Sequence, residues 1–77
     1  MCLAVPARIV SLEADDQAVI DAGGIRKRVS IALVEGVVPG DYVIVHVGYA
    51  LARLDPDAAA ETLAAMAAAG LEPGELV

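Results

Sequence analysis

Two side chains in this sequence are suited to covalent or metal chemistry, and each residue type occurs once: Cys2 and His46. Cys2 follows Met1 and precedes the apolar run Leu3-Ala4-Val5. Cysteine is small enough at position 2 for the initiator methionine to be removed, which would leave one residue carrying both an α-amine and a thiol. A nearby ammonium lowers a thiol's pKa, and the thiolate is the form that attacks electrophiles or binds soft metals. The alternative is an inert cysteine, although inert buried cysteines sit in the middle of strands and helices more often than near a mobile chain end. A cysteine with a histidine suits nucleophilic catalysis, in which imidazole activates the thiol. It suits equally one half of a metal site, since thiolate and imidazole both bind iron or zinc. Two protein ligands do not close a structural site, which for zinc takes four. Metal held here would need a partner to complete its coordination, or would arrive with ligands of its own.

The alternative for His46 is a half-buried histidine at a strand end, satisfied by a backbone group. Alternation places it on one face with Tyr42 and Ile44 and away from Val43, Val45 and Val47. Tyr42 and Tyr49 read as core or rim residues with their hydroxyls in water. The third candidate is the basic run Arg26-Lys27-Arg28, in a chain with 5 basic and 11 acidic residues and a formal charge of -6. It is either a solvated strand face countering acidic neighbours or a docking patch for an acidic partner. A phosphate backbone repels such an acidic surface. The aromatic platforms on which single-stranded bases stack are nearly absent, at 3% of the chain. Nucleic-acid binding is therefore disfavoured.

The elements that must position these residues are mostly strands. Residues 3–12 are rich in β-branched side chains, and Leu3, Val5, Ala7 and Ile9 share one face while Val10 and Leu12 share the other. Pro6 cannot donate to a ladder and marks an edge or a bulge. Residues 13–17 form a turn and 18–22 a second strand. Gly23-Gly24 signals a tight hairpin into a third strand with Ile25, Val29 and Ile31 inward and Arg26 and Arg28 outward. An apolar connection with a short turn of helix leads to Pro39-Gly40-Asp41 and the most pronounced strand, residues 42–47. Gly48-Tyr49-Ala50 breaks that run, and residues 51–54 lead out of it. Asp55 then caps a helix with Pro56 at its first position and acidic residues where the helix dipole favours them. Ala59, Leu63, Met66 and Ala67 form its apolar seam, and Gly70 ends it. The expected organisation is a single domain: a barrel over about 1–54, a helix over about 56–69 and a loose tail over 70–77.

With 77 residues, a domain of this size buries only about 60% of its unfolded surface and gains from an outside partner. Its core must do without Trp or Phe. One cysteine allows no internal disulfide, which suits a reducing cytoplasm. No stretch approaches the roughly 18 apolar residues of a membrane span, and the N-terminus does not read as a secretory signal.

The start Met-Cys-Leu-Ala-Val-Pro-Ala-Arg-Ile-Val resembles the signature of the HypC/HupF/HoxL hydrogenase assembly chaperones. The resemblance continues through residues 23–30 and Leu33-Val34, and resumes over residues 40–50, which include Gly-Asp-Tyr-Val-Ile-Val-His. It covers about residues 1–69. Met-Cys-x-x-x-Pro at an extreme N-terminus is a specific signal; Ala7 departs from a glycine frequent in the family. The resemblance implies a mainly β protein, a small OB-fold-like barrel followed by a C-terminal helix. It implies a carrier in nickel–iron hydrogenase maturation, with no permanent cofactor and no enzymatic activity. The cargo is an iron atom bearing cyanide and carbon monoxide. The implied partners are the HypD iron–sulfur protein, with which that fragment is assembled, and the hydrogenase large-subunit precursor that receives it. Cys2 matches the residue on which the family's activity depends, and His46 is a secondary candidate. Two rivals from other classes are a small enzyme with an N-terminal cysteine nucleophile and an OB-type binding module. The first lacks a visible oxyanion donor and room to enclose a substrate, and burst acylation of Cys2 by an activated ester would favour it. The second meets the net charge and the missing aromatics.

Overall fold

The computed structural model describes residues 4–76; Met1, Cys2, Leu3 and Val77 lie outside the described residues. The elements run β1 (Val5–Glu13), β2 (Gln17–Ala22), β3 (Ile25–Ser30), β4 (Tyr42–His46), β5 (Tyr49–Leu54), α1 (Pro56–Ala68) and α2 (Pro73–Leu76). The strands close into a barrel in the order β1-β2-β3-β5-β4. Neighbours are antiparallel except at the β3–β5 seam, where Ser30 pairs with Tyr49 in parallel. This closed five-stranded barrel is consistent with the small OB-like barrel that the resemblance implies.

β1 serves two neighbours in turn. Val5 to Arg8 pair with Val45 to Tyr42 of β4, and Arg8 to Glu13 pair with β2 across an irregularity between Ile9 and Ser11. Pro6 thus lies where β1 has no β2 partner, so its missing N–H removes nothing from that ladder, in keeping with an edge position. The inward row alternates as expected: Val5, Ala7 and Ile9 are buried. Ala18, Ile20 and Ala22 of β2, Val29 of β3, Val43 and Val45 of β4, and Ala50 of β5 complete the interior. Small and β-branched side chains fill a barrel this narrow without aromatic rings.

Two parts of the strand pattern differ from expectation. Of Ile25, Val29 and Ile31, only Val29 is buried; Ile31 is half-buried and Ile25 is exposed. Ile25 directly follows the Gly23-Gly24 turn, past the barrel wall, and lies against Gly74 so closely that a Cβ there would overlap it. The run after His46 is also not a break. Tyr49 to Leu54 form a full fifth strand, joined to β4 by the two-residue turn Val47-Gly48 between the paired His46 and Tyr49. A valine at the first turn position conceals a hairpin that asparagine or glycine would have announced.

The connection from β3 to β4 contains turns but no helix. It is pinned to the barrel by Ile31 N–H donating to Asp16 O (2.8 Å), and by paired bonds between Ile9 and residues 40–41. Its Val37 is buried. The start of α1 is as expected: the Asp55 carboxylate accepts from the N–H groups of Asp57 (3.0 Å) and Ala58 (3.2 Å), and Pro56 needs no partner for a proton it lacks. At the other end Gly70 N–H donates to Ala67 O and Leu71 N–H to Met66 O, a Schellman closure with Gly70 at φ 76°. The helix packs on β1 through a narrower seam than expected: Ala59 and Met66 are buried, Leu63 half-buried and Ala67 exposed. Where a loose tail was expected, α2 rests on β1 and β2, with Gly74 buried.

Candidate functional site

His46 ends β4, and the strand explains its setting. Val43 and Val45 are fully buried while Tyr42, Ile44 and His46 are half-buried on the outer side, the alternation expected from sequence. His46 stands directly opposite Tyr49, so the two share a face. The β1–β4 register pairs Val5 with Val45, and therefore the chain enters β1 beside the end of β4 that carries His46. Cys2 is two residues before Ala4 in sequence and lies outside the described residues. Among the described residues, no three potential metal-ligating side chains cluster around His46.

The basic run lies elsewhere on the barrel. Arg26, Lys27 and Arg28 are all exposed on β3, whereas β3 meets the His46 hairpin through Ser30, whose N–H donates to Gly48 O (2.9 Å). Arg26 Nε stands 3.9 Å from the Asp21 carboxylate directly across the ladder. Arg28 Nε donates to the Glu13 carboxylate. Arg26 and Arg28 are therefore each matched by an acidic neighbour, which favours the solvated-face reading over docking. Exposed pairs of this kind contribute about 0–1 kcal/mol each. Replacing both arginines by glutamine is expected to lower the unfolding free energy by roughly 1 kcal/mol or less. It should also leave the low-salt association rate with a partner protein unchanged, as measured by stopped flow. A rate that falls, with a weaker salt dependence, would restore the docking patch, since rim charges act mainly on association.

Sequence reasoning missed a shallow pocket of about 280 Å³ at the other end of the β4–β5 hairpin, lined by Asp41, Tyr42, Arg53, Leu54, Asp55 and Pro56. Arg53 and Asp41 in its lining stand 3.6 Å apart as an ion pair, and Asp55 is occupied in capping α1. No local motif announces this pocket, because it forms only when the strand ends meet.

Comparison with known proteins bears on the whole barrel. The model of the HupF/HypC family matches residues 1–66, which takes in Cys2, all five strands and most of α1. The chain is 59% identical over 63 residues to the hydrogenase maturation factor HypC of Cupriavidus necator, an alignment covering 82% of this chain and 70% of that protein. It is 52% identical over 64 residues to the HypC of Rhizobium leguminosarum bv. viciae, covering 83% and 85% of the two chains. With the HypC of a Synechocystis strain the identity is 45% over 76 residues, covering 92% of this chain and 100% of that one. A match of this extent, beginning at residue 1 and running through the barrel into its helix, places the chain in the HupF/HypC family.

Proposed function

We propose that this protein is a hydrogenase maturation factor that carries an iron atom bearing cyanide and carbon monoxide. In this reading it scaffolds that fragment together with a HypD-like iron–sulfur protein in the cytoplasm and passes it to the large-subunit precursor of a nickel–iron hydrogenase. It works by interaction and not by turnover. The family match beginning at residue 1 and including Met-Cys-x-x-x-Pro carries the proposal. The fold supports it: the interior is filled by Val5, Ile9, Ile20, Val43 and Val45, all fully buried, so cargo must be held on the surface. The strand register also sets the first residue of β1, Val5, beside the His46 end of β4. Cys2 is the soft ligand to iron, and His46 tunes the site by hydrogen bonding or weak ligation. Iron here is cargo, and a site with few protein ligands suits a fragment that brings its own and must leave again. No helix among the described residues is long and apolar enough to cross a membrane.

The test is affinity purification of the tagged chain from cells producing hydrogenase, with wild type and Cys2→Ala side by side. Wild type is expected to retain the HypD-like protein and the large-subunit precursor, and Cys2→Ala to lose both. Wild type that retains neither overturns the proposal.

A further inference from the structure

Val47 is placed where neither the backbone nor the core favours it. It is the first residue of the β4–β5 turn, with φ 49°, followed by Gly48 at φ 82°. Such a turn ordinarily takes asparagine, aspartate or glycine, and a β-branched residue in the left-handed region is a genuine outlier. Every other left-handed position among the described residues obeys that rule, being aspartate (Asp15, Asp16) or glycine. The strain is not repaid by packing, because Val47 is 77% exposed, the largest exposure of any sizeable apolar side chain among the described residues. Residues held in sparsely populated backbone regions concentrate where function needs them.

The surroundings say what the side chain is suited to meet. Tyr49 and Leu51, next along β5, are 50% and 44% exposed. Residues 42–52 contain no Asp, Glu, Lys or Arg, in a chain of net charge -6. The turn therefore projects an uncharged apolar knob from an acidic body, beside His46 and the strand end where β1 begins. We infer that this knob, Val47 with Tyr49 and Leu51, seats in an uncharged apolar hollow of the HypD-like protein; this rests on the function proposed above. A second copy of this chain is a poorer occupant, since two bodies of charge -6 repel, and an anionic bilayer repels the same body. A two-residue turn closed by paired strands is already ordered, so little conformational freedom is lost on docking.

The distinguishing feature of Val47 is that fold and partner make opposite demands on it. Val47→Asn gives the turn its preferred residue and removes the apolar contact. The experiment measures melting midpoint and binding to the purified HypD-like protein from the same organism, for full-length wild type, Val47→Asn and Cys2→Ala. Val47→Asn is expected to melt higher, by about 4–8 °C, and to bind 10- to 100-fold more weakly, mainly through faster dissociation. Binding equal to wild type overturns the inference while leaving the maturation role standing. Wild type that shows no binding overturns both, and the Cys2→Ala arm then shows nothing further. If Val47→Asn instead abolishes self-association of the isolated chain in sedimentation, the occupant is a second copy and the inference as stated falls.

Discussion

Purified with a HypD-like partner, the wild-type protein is expected to show cyanide and carbon monoxide stretching bands in the infrared, and Cys2→Ser is expected to abolish them. Serine nearly preserves size and keeps a hydroxyl, so the change isolates ligand character. A thiolate is soft and accessible near neutral pH, whereas an alkoxide is hard and scarcely formed, and soft ligands are those that select such an iron centre. Loss should therefore be as complete as in Cys2→Ala. The fold is expected to persist in both variants, within about 0.5 kcal/mol of wild type, because position 2 precedes the first strand, which begins at Val5. His46→Ala should be milder. A neutral ligand or a hydrogen-bonding neighbour is replaceable, and loss of such a group typically weakens metal binding 10- to 100-fold. Bands of wild-type intensity in Cys2→Ser would sink the thiolate-carrier reading, and melting that drops by several kcal/mol would show the cysteine to be part of the core instead.

The strands that alternate cleanly were legible from the sequence because a barrel wall imposes a period of two that few other structures share. Val43 and Val45 against Tyr42, Ile44 and His46 follow it residue by residue. The helix start was legible for a different reason: Asp55-Pro56 combines a carboxylate cap with a residue that suits only the first turn, and the cap bonds are present. Illegible parts are those in which tertiary contact overrides local pattern. Ile25 has the parity of a core residue but stands past the wall, against Gly74. β5 was hidden by Val47, whose strain no propensity would anticipate, so the clearest local anomaly is also the feature with the most to say about partners. For the site itself, the sequence named Cys2 and His46 from residue type alone. The register that leads β1 past the His46 end of β4 needed the fold. The pairing of Arg26 with Asp21 and Arg28 with Glu13 likewise depends on which strands are neighbours, and charge order along the chain does not reveal it.

Ile20→Ala should be the most damaging single change to the fold, and Ile25→Ala should be mild although the two isoleucines are five residues apart in one hairpin. Ile20 is fully buried, opposite Ile9 on β1 and Lys27 on β3. Removing three carbons there loses their transfer free energy and leaves a cavity, a combination that costs about 2–5 kcal/mol in well-packed interiors. This site belongs toward the upper end. The core it shares with Ile9, Val43 and Val45 is built of β-branched side chains stiff at χ1, and a closed ring of strands cannot contract around a void without breaking ladder bonds. Stability for a chain of this length is only about 4–12 kcal/mol in total, so the loss is a large fraction of it. At roughly 4–8 °C per kcal/mol, the melting midpoint should fall by about 15 °C or more, and the variant should be partly unfolded at modest urea concentrations. Ile25 is 44% exposed, so truncation there removes contact with α2 but opens no cavity, and about 1 kcal/mol is expected. Thermal and urea melts of the two variants decide the matter. Equal losses would mean that the β2–β3 hairpin is buried along its whole length and that α2 belongs to the core.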